Sequence, residues 1–157
     1  MLSEEHNSSD EHDVRNDCYE ALGLDRLLAI EARKPNDVAL LICIGKRYFE
    51  AYNFDKCREY YVRALKLDPY DGWSHLYFGN LLSALGCHES ALVHFNYAAD
   101  FLPDVACPQW CLAEQYRGAG DFDKADDHYR NAVSVDPEDA TARGKLNEWL
   151  ASYNTPG

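Results

Sequence analysis

Apolar positions along this chain follow two periods at once: a short helical one within each segment, and a long fixed step that carries Pro69 to Pro103 and then to Pro137. Leu41, Ile44, Gly45 and Tyr48 fall at i, i+3, i+4 and i+7, the spacing of one helix face. Asn53-Phe54-Asp55 makes a turn, with Asp55 able to cap the next helix, which Cys57, Tyr60, Tyr61, Ala64, Leu65 and Leu67 mark. Asp68-Pro69 stops it, because proline cannot continue a helix. One step later, Phe78, Gly79, Leu82, Ala91, Phe95, Ala98 and Pro103 repeat the plan around a turn at Gly86. A second step gives Leu112, Ala113, Tyr116, Gly120, Ala125, Tyr129, Ala132 and Pro137, with no insertion. A fixed step of this kind predicts helical hairpins that cannot bury their apolar faces alone and therefore stack on copies of themselves. Gly45, Cys57 and Ala64 are small where two helices cross closely.

The remaining segments read as ends of that stack. Residues 1–16 carry Glu4, Glu5, Asp10, Glu11 and Asp13, with Asp17 just beyond, against Arg15 and almost no large apolar residue, which predicts a disordered acidic arm. Residues 17–37 are a predicted helical extension: Tyr19, Leu22, Leu24, Leu27, Leu28 and Ile30 sit at helical spacings, interrupted at Gly23. Pro35-Asn36-Asp37 supplies a stop followed by an N-cap, and Pro35 lies one step before Pro69. The repeats occupy residues 38–71, 72–105 and 106–139. Residues 140–157 give a capping helix and tail, with Leu146, Trp149 and Leu150 inward and Arg143, Lys145, Asn147 and Glu148 outward. The predicted fold class is all-α.

Composition narrows the function classes. A formal charge of −12 argues against nucleic acid or an anionic membrane as partner, since both reward Lys/Arg surfaces. No apolar run approaches the ~20 residues that span a bilayer. The start, Met1-Leu2-Ser3-Glu4-Glu5, is acidic where a secretory signal is basic, so the expected location is the cytoplasm. Without such a signal, Cys18, Cys43, Cys57, Cys87, Cys107 and Cys111 read as reduced thiols rather than a disulfide framework. Cys107 and Cys111 stand i, i+4 and could share a metal, with Cys43 approaching from the neighbouring repeat; small apolar residues shaping a groove are the expected reading. There is no Gly-rich phosphate loop, nucleophile elbow or His-Glu-x-x-His helix. Asp121, Asp123, Asp126 and Asp127 cluster at a turn and helix N-terminus, where capping and the helix dipole account for them. Neither an enzyme nor a cofactor or metal site is expected.

These residues resemble the tetratricopeptide repeat family, whose signature runs bulky residue, apolar-Gly/Ala, Tyr, Ala, aromatic, Ala, Pro. Repeat one supplies Leu41, Ile44, Gly45, Tyr48, Cys57, Tyr61, Ala64 and Pro69 at those places. His75 and Gln109 replace the bulky residue in the later copies, and Leu82 replaces the tyrosine. The resemblance implies a right-handed α-solenoid of three hairpins that binds a protein or peptide client along a concave face lined by the first helix of each repeat. It would place Ile42, Lys46, Phe49, Trp73, Leu76, Tyr77, Asn80, Trp110, Glu114 and Arg117 in that groove, together with Cys107 and Cys111. Trp73 and Trp110 have a second reading, in which they pack against a terminal cap. Family members that hold acidic chaperone tails use a clamp of Lys, Asn, Asn, Lys and Arg; the matching places hold Ile42, Lys46, Tyr77, Cys107 and Cys111, so that role is not expected. Leu67-Asp68-Pro69-Tyr70-Asp71, Phe95-Asn96-Tyr97-Ala98-Ala99 and Trp110-Cys111-Leu112-Ala113-Glu114 are similar to the three-repeat chaperones of type III secretion translocators, although Cys111 stands where that family has His.

Two function classes remain. One is a peptide-binding chaperone or adaptor using the groove. The other is a structural assembly module without a peptide client, in which a homodimer is one arrangement.

Overall fold

A computed structural model describes residues 19–153; the predicted acidic arm lies outside the described residues. Eight helices lie wholly within them: α1 Leu24–Glu31, α2 Val38–Glu50, α3 Phe54–Leu67, α4 Gly72–Ala84, α5 His88–Phe101, α6 Cys107–Gly118, α7 Phe122–Val135 and α8 Ala140–Tyr153. The architecture is an all-α helical repeat. The chain divides into two compact units, residues 1–69 and 70–157.

In the first unit α1 and α3 both pack on α2. Asp37 caps α2 by accepting the Leu40 amide at 3.1 Å. Asn53 rather than Asp55 caps α3, accepting from the Lys56 amide at 3.2 Å; Asp55 lies in the first turn, where it meets the helix dipole. A Cβ added at Gly45 would stand 2.4 Å from Cε1 of Tyr61, so the α2–α3 crossing has room only for glycine.

The second unit repeats that crossing. α4 packs on α5, α5 on α6, α6 on α7, and α8 on both α7 and α6. At the equivalent of Gly45, Gly79 faces Phe95, with a notional Cβ 2.7 Å from its ring, while Ala113 packs in one cluster with Ala125, Tyr129 and Trp149. Asp71 caps α4 at 2.7 Å and Asp121 caps α7 at 3.3 Å. Cys87 stands in the same place at the head of α5 and makes no side-chain cap.

Each hairpin turn passes through a left-handed residue at one register: Tyr52 at φ 57°, Gly86 at φ 76° and Gly120 at φ 80°. Glycine takes this conformation freely and tyrosine does not, so the first turn is the strained copy. A second register is polar. His75 Nδ1 lies 2.9 Å from His94 Nδ1, and one repeat later the Gln109 side-chain oxygen lies 2.9 Å from His128 Nδ1. Burial lowers the pKa of both His94 and His128, so each favours the neutral ring.

Candidate interaction surface

In the first unit the residues expected in a groove are largely committed. Ile42 is 1% exposed, inside the run Ala39–Gly45 that is buried on every side of α2. The signal was in the sequence: Val38-Ala-Leu-Leu-Ile-Cys-Ile-Gly45 is apolar all round, and such a helix is buried all round rather than along one stripe. Lys46 makes a salt bridge with Glu20, and the Arg47 guanidinium donates to the carbonyls of Glu20 and Leu22. The segment before α1 therefore lies over the far half of α2. Phe49 packs against Phe54, centroids 5.6 Å apart, and Phe54 meets the exposed Tyr52 ring edge-on.

In the second unit the first-helix positions of α4, α6 and α8 come together on one side. Trp73 and Tyr77, one turn apart on α4, stack with centroids 6.3 Å apart and an interplanar angle of 27°. Both are half-buried. Asn80, a turn further on, accepts from the Cys111 thiol of α6 at 3.8 Å. Leu76 is 2% exposed and packs with Ala91, Phe95, Ala98 and Leu112, so it belongs to the core and offers nothing to a ligand.

Trp110 follows the second reading of its position. It packs against three apolar clusters drawn from α4 to α8, among them Tyr129 and Trp149, and Ala106, Ala132 and Ala142. The Lys145 ammonium lies 4.8 Å from its ring centroid, and its indole N–H is buried without a partner among the described residues. Trp110 is thus a seam residue joining the last helix to the stack. Lys145, expected outward, is drawn in by Trp110 and by Glu114, whose carboxylate it meets at 3.0 Å. Glu114 also meets Arg117 at 2.5 Å and accepts from the Tyr129 hydroxyl, which burial pushes well above the usual tyrosine range. Arg117 remains half-exposed at 48%.

Cys43, Cys57 and Cys111 are buried packing thiols, Cys107 is half-buried and Cys87 is exposed. Cys43, Cys57, Cys87, Cys107 and Cys111 are all free of disulfides. Burial pushes Cys43 and Cys57 up to about 11. Cys111 is raised by its hydrogen bond with Cys107 and then by burial. A thiol held this far toward its protonated form is a weak nucleophile and a weak ligand. Among the described residues no group of three or more His, Cys, Asp or Glu is placed to hold a metal, and no helix is long and apolar enough to cross a membrane.

Two family models, both described as tetratricopeptide repeat, match residues 38–71 and 112–139. The chain carries tetratricopeptide repeats. It is similar in fold to a thermophilic tetratricopeptide-repeat protein of Thermus thermophilus, with TM-score 0.74 and 22% identity, over 82% of this chain and 71% of that one. It is likewise similar to the first repeat domain of Spaghetti (RPAP3) bound to the HSP90 peptide SRMEEVD, with TM-score 0.66 and 15% identity, over 75% of this chain and 94% of that one. Among curated sequences it is 28% identical over 102 residues, 65% of its length, to anaphase-promoting complex subunit 3 of Schizosaccharomyces pombe. The chain spans only 15% of that relative. These repeats make it a protein–protein interaction module.

Proposed function

We propose that the α4–α6–α8 side of the second unit binds an extended segment of a partner protein, with Trp73 and Tyr77 as its anchors. The observation that carries this is the stacked ring pair, half-buried at first-helix positions, with Asn80 beside it. A rigid aromatic ledge contributes large contact area at little entropic cost, and aromatic anchors dominate most interfaces. Asn80 supplies an amide for a peptide backbone, and Arg117 a half-exposed cation at the far edge.

Charge defines the client. The related repeat domain holds an acidic peptide. Here Lys46 is engaged by Glu20, Ile42 is buried, and Cys107 and Cys111 stand where the clamp needs cations. Lys145 is balanced by Glu114. An acidic tail would find Lys46 and Lys145 already engaged, so the client presents apolar or aromatic side chains. A cytoplasmic chaperone for a type III secretion translocator is the narrower form of this proposal. The alternative is a scaffold within a larger assembly, favoured by the likeness to a named complex subunit of which this chain spans a small part.

The test starts from the mass of the full chain in solution, by sedimentation. Peptides selected from a displayed library on the full chain are then titrated against Trp73→Ala/Tyr77→Ala. Trp110 stays intact, because its removal would open the α6–α8 seam. Loss of binding in a variant with unchanged circular dichroism supports the proposal. Unchanged binding rejects it, and a stable oligomer whose contacts cover Trp73 and Tyr77 favours the scaffold.

A further inference from the structure

The turn leading into α7 and the last turns of α8 form a second apolar feature, separate from the proposed client surface. Phe122 is 49% exposed and Tyr153 62% exposed, although both rings lie against the buried Trp149. Trp149 stands between them, with ring centroids 6.0 Å from Phe122 and 5.4 Å from Tyr153. The three rings form one ledge, and beside it is a notch of 370 Å³ lined by Phe122, Leu150 and Tyr153 on its apolar side. Asp123, Asp126 and Asp127 make its other wall, with Arg130.

Those carboxylates are not equivalent. Asp126 is fully used: it accepts from Arg130 at 2.6 Å and from the Trp149 indole N–H at 2.8 Å, which fixes the ledge to α7. Asp121, outside the notch, caps α7 and pairs with Lys124 at 2.7 Å. Asp123 and Asp127 form no salt bridge among the described residues, and both are exposed. Capping and pairing therefore account for two of the four acidic residues at this turn and leave two beside an exposed aromatic ledge.

Charge selects among the occupants. A second copy of this chain brings a net charge of −12 against the same acidic wall. Residues 1–18 bring six carboxylates and one arginine, and residues 154–157, Asn-Thr-Pro-Gly, bring neither a charged nor a large apolar side chain. We infer that the Phe122–Leu150–Tyr153 notch is a docking site for a basic amphipathic segment of another protein, one apolar side chain entering the notch and flanking Lys or Arg meeting Asp123 and Asp127. The site is independent of Trp73 and Tyr77, so either proposal can fail alone.

The test is an amide-shift titration of the full chain with three synthetic helical peptides of equal leucine content, carrying Lys, Gln or Glu on the flanks. The Lys peptide should shift the amides of Phe122, Asp123, Asp127, Leu150 and Tyr153 saturably. Its affinity should fall about tenfold as salt screens the exposed pairs. Asp123→Asn/Asp127→Asn should weaken it severalfold with the fold intact, and Phe122→Ser/Tyr153→Ser should abolish it. Trp73→Ala/Tyr77→Ala should leave it unchanged. Equal shifts from all three peptides, shifts centred on α4 and α6, or no saturable shift from the Lys peptide would overturn the inference. Dimerisation that requires Tyr153 would overturn it in favour of a second copy.

Discussion

The close crossing of α4 and α5 gives the sharpest stability prediction. In Gly79→Ala the new methyl carbon would stand 2.7 Å and 2.8 Å from Cε1 and Cδ1 of Phe95. Ordinary carbon contacts lie at about 3.5–4.0 Å, so one partner must move by close to 1 Å. Phe95 cannot swing away, being 1% exposed and enclosed by Leu76, Ala91, Ala98, Cys111 and Leu112. Overpacking of this kind costs about 1–3 kcal/mol. Alanine returns about 1 kcal/mol through its higher helix propensity. The net expected loss is up to about 2 kcal/mol, or up to roughly 8 °C of Tm for a chain of this size. The register shows that the loss is geometric: Ala113 occupies the same place in the third repeat and packs with Tyr129. Gly79→Ala/Phe95→Leu should therefore recover part of the loss by shortening the obstructing side chain. Thermal melts by circular dichroism read the effect. A Gly79→Ala variant stabilised by the full propensity gain of about 1 kcal/mol would refute the close-crossing assignment, because propensity would then be the only effect left.

A cap, two histidines and one seam residue carry the remaining predictions. Cys87 heads a second helix without a side-chain acceptor, so Cys87→Asn should raise stability by about 1 kcal/mol in denaturant melts, matching Asn53. No gain would mean that the α5 head is already satisfied. His94 and His128 have folded-state pKa values below their unfolded ones, so between the two the unfolded chain binds more protons. Stability should then be full above about pH 7 and decline as pH falls through roughly 6.5. His94→Gln/His128→Gln should flatten that slope, and an unchanged slope would remove these rings as its source. Finally, Trp110→Ala should lower stability by about 3 kcal/mol or more, the loss typical of a well-packed aromatic, and loosen α8 in hydrogen exchange. A Tm within error of wild type would return Trp110 to the free surface residues.

Much of the fold was legible because its signals repeat. Pro69, Pro103 and Pro137 end second helices, Gly45 and Gly79 mark crossings, and each states its meaning more than once at a fixed spacing. Either oxygen-bearing residue of Asn53-Phe54-Asp55 can cap α3 on sequence alone, and only backbone geometry separates them. The surface was less legible. Ile42, Leu76 and Trp110 share one register and all three are packed, yet register says nothing about which neighbouring segments cover a position. For Ile42 the all-round apolar run was the available warning. For Trp110 the sequence leaves groove and cap readings open, because its environment depends on Lys145 and Trp149 arriving from the last helix, far along the chain. Tyr52 is a similar case: its left-handed φ becomes visible only once the turn is built, although Gly86 and Gly120 mark the same register.

The central claim is that Trp73 and Tyr77 on α4 anchor a partner segment. Calorimetric titration of a library-selected peptide into the wild type and into Trp73→Ala/Tyr77→Ala tests it most directly. The stacked pair predicts a Kd weakened by about tenfold or more in the variant, the loss expected for a truncated aromatic anchor. An unchanged Kd in a variant with wild-type circular dichroism would contradict it and place the partner surface elsewhere on the protein.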